Sequence, residues 1–281
     1  MIGIVGGTGL YALEGLRVTG EETPETPFGP ASAPVTLGEL GGRRVAFLPR
    51  HGAGHALLPS EINYRANVWA LKAVGVTRVV GVSAVGSLRE AVAPGELALP
   101  TQYLDWTRGR RAGTFFGEGV VAHVSTAEPT CPALGRAAGE AAAAEGAALH
   151  AGVTYACVEG PRLGTRAESF FLRDNGCDLV GMTNVPEVFL AREAQLCYAT
   201  VCVVTDYDCW QDDPAQHVSA EKIFPLYRAT LGRVRGILAR LVEGEAALGP
   251  CGCRTSLSGA LLTPDAAIPE SKRAYVAFLR R

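Results

Sequence analysis

Residues 196–205, Leu-Cys-Tyr-Ala-Thr-Val-Cys-Val-Val-Thr, form a strand-sized run without a charge or a break. A half-exposed strand alternates apolar with polar residues; this run does not, so both of its faces must be covered. Strands of that kind belong to α/β proteins, and the rest of the chain agrees, because strand-like and helix-like segments alternate along its whole length. Strands are expected at 2–6, 43–48, 78–83, 152–158, 178–182 and 197–205, and helices at 60–74, 133–148, 165–174, 187–195, 219–243 and 268–280. Residues 246–260 read as loop, as does the Pro-rich stretch Glu21 to Pro34, which is too short to divide domains. A single domain spanning 1–281 is the expectation, with 246–281 as a C-terminal extension.

Asp206 and Asp208 stand directly at the end of the buried run. Two carboxylates there are costly to desolvate without partners, and in open α/β sheets ligands bind at the carboxyl ends of strands. Asp is also common in solvated turns, so the neighbouring motifs have to decide. Gly3-Ile-Val-Gly-Gly-Thr-Gly9 ends the first strand, where consecutive glycines let backbone amides approach an anion and Thr8 adds a hydroxyl. It lacks both the G-x-G-x-x-G spacing of dinucleotide sites and a P-loop Lys; phosphate binding and a plain tight turn both remain open for it. Pro49-Arg50-His51-Gly52 offers a planar donor fork and a directed N–H at the next strand end. Ser83-Ala84-Val-Gly86-Ser87 and Met182-Thr183 add small donors, the latter ahead of a helix that Pro186 suits as a first-turn residue. Arg162 and Glu159, in Glu159-Gly-Pro-Arg162, read as a structural pair. Converging strand ends make one cleft whose donors fit phosphate and whose acidic pair fits a nitrogenous base.

Composition excludes other classes. Hydrophobic residues make up 48 %, mean hydropathy is +0.15 and net charge is −2, which implies a filled core and argues against disorder and nucleic-acid binding. No apolar stretch is long enough to span a membrane, and the N-terminus opens on a strand without a basic leader, so a cytoplasmic enzyme is expected. The chain has 8 cysteines. Those in apolar strands are expected as buried thiols. Cys251-Gly-Cys253 has no second Cys/His pair at zinc-finger spacing, so no structural metal is expected.

Taken with Asn63-Tyr-Arg-Ala-Asn67, Val158-Glu-Gly-Pro-Arg162, Arg166-Ala-Glu-Ser169, Gly181-Met-Thr-Asn-Val-Pro-Glu187 and Thr205-Asp-Tyr-Asp-Cys-Trp210, these motifs resemble the methylthioadenosine phosphorylase branch of the trimeric purine nucleoside phosphorylases, from residue 2 to about 243. The resemblance implies an α/β fold of nucleoside-phosphorylase type, a central mixed β-sheet flanked by helices in one domain. It implies a homotrimer, with hexamers among disulfide-bearing relatives. It also implies phosphorolysis of 5′-methylthioadenosine to adenine and 5-methylthioribose 1-phosphate, with phosphate as co-substrate and no cofactor or metal. By matching position it assigns phosphate to Thr8, Arg50, His51, Ser83, Ala84 and Thr183, and the ribose to Met182. His123 matches a residue that reaches into the neighbouring subunit's site. Asp206 falls to purine N7, as the general acid, and Asp208 to the 6-amino side. Ala220, Ile223 and Phe224 fall to the methylthio group. Leu163-Gly164 stands where animal enzymes carry Phe-Ser beside the base, which leaves purine breadth open; a methylthioinosine phosphorylase is the alternative. A nucleoside-binding protein without turnover is the alternative of another class, disfavoured by the full set of phosphate donors. The resemblance also implies Cys131–Cys202 and Cys197–Cys251 or Cys197–Cys253 disulfides, against a set of free thiols.

Overall fold

The structure, a computed structural model, describes residues 1–7, 10, 15–109, 111–212 and 220–281, the last with side chains from Pro225 onward. Its strands are β1 (Ile2–Gly6), β2 (Arg17–Glu22), β3 (Val35–Leu40), β4 (Arg43–Pro49), β5 (Arg78–Ser87), β6 (Leu97–Trp106), β7 (Leu149–Val158), β8 (Leu179–Gly181) and β9 (Cys197–Asp206). Its α-helices are α1 (Tyr64–Ala73), α2 (Pro132–Ala144), α3 (Arg166–Asp174), α4 (Asn184–Glu193), α5 (Ala220–Glu243) and α6 (Glu270–Leu279). The strands form one mixed sheet in the order β2-β3-β4-β1-β5-β8-β7-β6-β9. Because β9 also pairs with β5, the second half of the sheet closes on itself. That closure explains the uninterrupted apolar run: all 10 residues of β9 are buried.

The expected elements are present, with shifted ends. Helix α1 starts at Tyr64 because Asn63 caps it, its side chain accepting the Ala66 N–H at 3.1 Å while donating to the Phe28 carbonyl at 2.7 Å. Three strands had no clear sequence signal. β2 is exposed throughout, so no apolar face marks it. β3 lies directly beyond the Pro-rich loop and pairs with β2 and β4. β6 is buried only over its first four residues, and Pro100 sits at a register shift.

Two cores lie on opposite faces of the sheet. One gathers Trp69, Val188, Tyr198 and Cys202; the other gathers Leu134, Cys197, Val201 and Leu238. The segment after α5 is more than loop. Short 3-10 turns lead to α6, which contributes Tyr275, Val276 and Leu279 to the first core. Lys72 then ties it down, Nζ donating to the carbonyls of Ala194 at 2.7 Å and Leu279 at 3.2 Å.

The expected disulfides do not form: all 8 cysteines are free thiols. Cys131 and Cys202 belong to opposite faces, since Cys197 and Cys202 are an odd number of residues apart on one strand and Cys131 packs with Cys197. Cys197 does meet Cys251, with sulfurs 3.0 Å apart, but they are not bonded. No helix among the described residues is long and apolar enough to cross a membrane.

Candidate active site

Parallel pairing of β4, β1, β5 and β9 brings their carboxyl ends to one edge of the sheet. β8 runs antiparallel to β5, so Met182 and Thr183 turn back toward Ser83 and Ala84. A cavity of about 280 Å³ opens between these ends, lined among others by Gly7, Arg50, Ser83, Met182, Thr183, Asp206 and Asp208. The sequence thus named residues from five separated segments that do share one cavity.

One end is cationic and rich in donors. Arg50 is fully buried, and a side-on pair with Glu187 holds it: Nε donates to Oε2 at 2.7 Å and Nη2 to Oε1 at 2.8 Å. Nη1 donates to the Val82 carbonyl at 3.1 Å. Burial works against the guanidinium charge, but the Glu187 carboxylate more than offsets it, so Arg50 stays charged. Tyr198 Oη donates to Glu187 Oε1 at 2.7 Å, completing its hydrogen bonding. Thr183 occupies the N-cap position of α4 but makes no capping bond. Its hydroxyl instead faces that of Ser83 at 3.4 Å, and Ser83 Oγ also reaches the Ala84 carbonyl at 3.3 Å; both residues line the cavity.

His51 is a correction to the expected directed N–H donor. A carbonyl can only accept, so the 2.9 Å contact between Nδ1 and the Leu57 oxygen places the proton on Nδ1. Burial, with Arg50 and the stacked His55 ring 4.2 Å away, lowers the imidazole pKa to about 4. At neutral pH His51 is therefore uncharged, and its Nε2 is an acceptor.

The other end is acidic. Asp206 is buried; Oδ1 accepts the Asp208 backbone N–H at 2.7 Å and Oδ2 the Thr205 hydroxyl at 2.6 Å. Burial pushes its pKa up to about 6, helped by the Asp208 charge and opposed by those two hydrogen bonds. Burial also raises Asp208. Gly86 makes this packing possible, since a Cβ there would lie 2.9 Å from Asp206 Oδ1. Leu163 and Gly164 close the same end, and a Cβ on Gly164 would sit at ordinary contact distance, 3.9 Å, from Asp208 Oδ2.

The structure adds residues that the sequence did not single out. Besides Glu187, Arg111 fixes the loops between the two ends. Its Nη1 donates to the Met182 and Val185 carbonyls, each at 2.7 Å, Nη2 to the Glu159 carbonyl at 2.9 Å, and Nε pairs with the Glu159 carboxylate at 3.2 Å. Glu159 is thus paired with Arg111, and Arg162 pairs instead with Glu168 at 2.6 Å, contrary to the expected Glu159–Arg162 pair. His123 is exposed and lies outside this cavity. Thr8 and the side chains of Ala220, Ile223 and Phe224 lie outside the described residues.

The phosphorylase superfamily pattern matches residues 1–243. An S-methyl-5′-thioadenosine phosphorylase from Geobacter sulfurreducens is 46 % identical over 269 residues, covering 96 % of this chain and 94 % of that protein. The crystal structure of a methylthioadenosine phosphorylase from an antarctic soil metagenomic library superposes with a TM-score of 0.93 at 42 % identity, covering 99 % of this chain and 98 % of that one. The Schistosoma mansoni methylthioadenosine phosphorylase in complex with adenine superposes with a TM-score of 0.88 at 35 % identity, covering 93 % and 98 %. A mixed sheet with a two-ended cavity at its strand ends, and these likenesses over nearly the whole length, place the chain in the methylthioadenosine phosphorylase family of the phosphorylase superfamily.

Proposed function

We propose that this chain cleaves 5′-methylthioadenosine with inorganic phosphate, giving adenine and 5-methylthioribose 1-phosphate. The observation that carries this reading is the division of one cavity into an anion end, around Arg50, Ser83 and Thr183, and a protonatable acidic end at Asp206. Phosphate belongs at the first. The Nη1 and Nη2 nitrogens of Arg50 each keep a hydrogen beyond the bonds to Val82 and Glu187, and the Ser83 and Thr183 hydroxyls line the same cavity. Neutral His51 presents Nε2 as acceptor for the P–OH hydrogen of a monoprotonated phosphate. Ala84 and Thr8 complete the proposed set.

The purine belongs at the second end. As the C1′–N9 bond breaks, the sugar gains oxocarbenium character and the electron pair moves onto the purine. Asp206, protonated, donates to N7 as negative charge develops there, and Asp208 accepts from the 6-amino group. A phosphate oxygen forms the new bond to C1′. The ribose is assigned to Met182, which lines the same cavity and whose carbonyl Arg111 holds. Leu163 packs against the base, and Ala220, Ile223 and Phe224 receive the methylthio group.

For assembly, a homotrimer or a higher oligomer built from it fits the exposed His123, which stands beside exposed Val121 and Leu262 and away from its own cavity. Sedimentation analysis showing a monomer would reject that reading.

The direct test follows adenine release from methylthioadenosine with and without phosphate. Phosphate-dependent release is expected, and its absence would leave a binding protein without turnover. Faster release of hypoxanthine from methylthioinosine would favour the oxopurine alternative. Thr183→Val removes one hydrogen bond to a charged ligand, so the phosphate KM should rise about 10- to 100-fold. Because that hydroxyl caps nothing, the melting temperature should hold; an unchanged phosphate KM would remove Thr183 from the set. Gly164→Ser has room beside Asp208. It should fold normally and favour 6-aminopurines over 6-oxopurines by a few-fold, checked by the ratio of kcat/KM values.

A further inference from the structure

The segment after Glu243 lies beyond the superfamily match and carries Cys251 and Cys253. In space they join Cys131 and Cys197, and the four sulfurs lie within 4.8 Å of one another. Cys131 and Cys251 sulfurs are 3.7 Å apart, and those of Cys197 and Cys251 3.0 Å. Among the described residues, this is the only such group of metal-ligating side chains.

Thiols are weak donors and weak acceptors, so hydrogen bonding alone gives little reason to gather four of them. A tetrahedral metal does. Zinc–thiolate bonds of about 2.3 Å set sulfur–sulfur edges of about 3.8 Å; the Cys131–Cys251 pair at 3.7 Å matches that edge, and the Cys197–Cys251 pair at 3.0 Å would open by less than about 1 Å to reach it. The ligands are also held by regular structure. Cys131 precedes α2 without capping it, Cys197 opens β9, and Cys251 and Cys253 flank the start of a 3-10 turn. Three are buried and Cys251 is half-buried, which leaves a way in for an ion. Arg192 Nη1 donates to Cys253 Sγ at 3.4 Å, a contact that suits a negatively charged tetrathiolate.

We propose that Cys131, Cys197, Cys251 and Cys253 form a closed Zn2+ site that fastens the C-terminal segment to the α2–β9 face. An all-sulfur set selects a thiophilic ion, and four protein ligands leave no open position, so the role is structural. Its position agrees. Cys197 and Asp206 are at opposite ends of β9, roughly 30 Å apart for a strand of this length, so the ion takes no part in the reaction. Local spacing did not reveal the site because its two halves come from distant segments.

The test uses the full chain, purified anaerobically under a non-thiol reductant, stripped by chelation and titrated with CoCl2. Tetrahedral thiolate coordination should give an intense sulfur-to-cobalt charge-transfer band with visible d–d bands, saturating at one ion per chain. ZnCl2 should displace the cobalt, and protein isolated without chelator should hold about one zinc per chain. The Cys251→Ser/Cys253→Ser variant should lose the bands and melt at lower temperature, with phosphorolysis changed less than about twofold. No cobalt–thiolate band in the wild-type chain overturns the site whether or not the variant folds. So does a denatured thiol count showing these four cysteines paired as disulfides in protein isolated without reductant.

Discussion

Asp206→Asn is expected to lower kcat for methylthioadenosine about a hundred- to ten-thousand-fold while stabilising the folded chain above pH 6. The rate effect follows from the proposed proton donation to N7, which an amide cannot make. The stability effect follows from the raised pKa. Asp206 titrates at about 6 when folded, against 3.8 as the ordinary value. A raised folded pKa means that the native state favours the protonated form. Its contribution is full below the unfolded value and is lost as pH rises through the folded one. At pH 7 the ionised carboxylate therefore costs the native state about 3 kcal/mol relative to its protonated form. Asn keeps the shape without that charge. Its oxygen can accept the Asp208 N–H, and its nitrogen can donate to the Thr205 oxygen, because the Thr205 hydroxyl has a second acceptor in the Val85 carbonyl at 3.1 Å.

The same substitution changes the pH profile. With Asp206 as acid, wild-type kcat/KM at saturating phosphate should fall on the alkaline side of a pKa at or above about 6, and the Asn variant should lack that limb. An Asn side chain also offers N–H to a 6-oxopurine, so turnover of methylthioinosine relative to methylthioadenosine should rise. A variant that keeps the wild-type limb and loses less than about fivefold in rate would remove Asp206 from the chemistry.

What the sequence disclosed depended on whether a residue's neighbours were local. Asp206 and Asp208 were legible because the continuous apolar run fixed where β9 ends, and strand ends in α/β proteins converge. Arg50, Ser83 and Thr183 followed by the same logic. Glu187 did not, because its partner Arg50 is 137 residues away. The available signal was a carboxylate between Pro186 and Val188 in an otherwise apolar turn, a charge that had to be buried and paired. Arg111 follows Arg108 and Arg110 in what reads as a solvated basic loop, although it is the clamp on the Met182 loop. The proton position on His51 depended on a carbonyl six residues away, a loop contact with no periodic signature. Strand β2 has no buried face, so only its partner β3 defines it.

Glu187→Gln should destabilise the phosphate-free protein by about 3–5 kcal/mol, a fall in melting temperature on the order of 10 °C. Arg50 is fully buried and cannot turn to water. With the Gln oxygen in the place of Oε1, the bonds from Arg50 Nη2 and Tyr198 survive. The amide nitrogen then faces Arg50 Nε–H, donor against donor, at the position where Oε2 accepts at 2.7 Å. The guanidinium keeps its charge but loses the carboxylate that offset its burial. A phosphate dianion at the proposed site supplies that charge from the other side. The variant should therefore gain more melting temperature from saturating phosphate than the wild type does, and bind phosphate more tightly in calorimetry, since ligand stabilisation grows with the ratio of concentration to Kd. Sulfate should rescue similarly and chloride much less, because the deficit is one of charge held in a fixed geometry. If Glu187→Gln melts like the wild type, the pair is not structurally important. If it melts early and phosphate gives no extra gain, phosphate does not bind against Arg50, and the anion end must be placed elsewhere in the cavity.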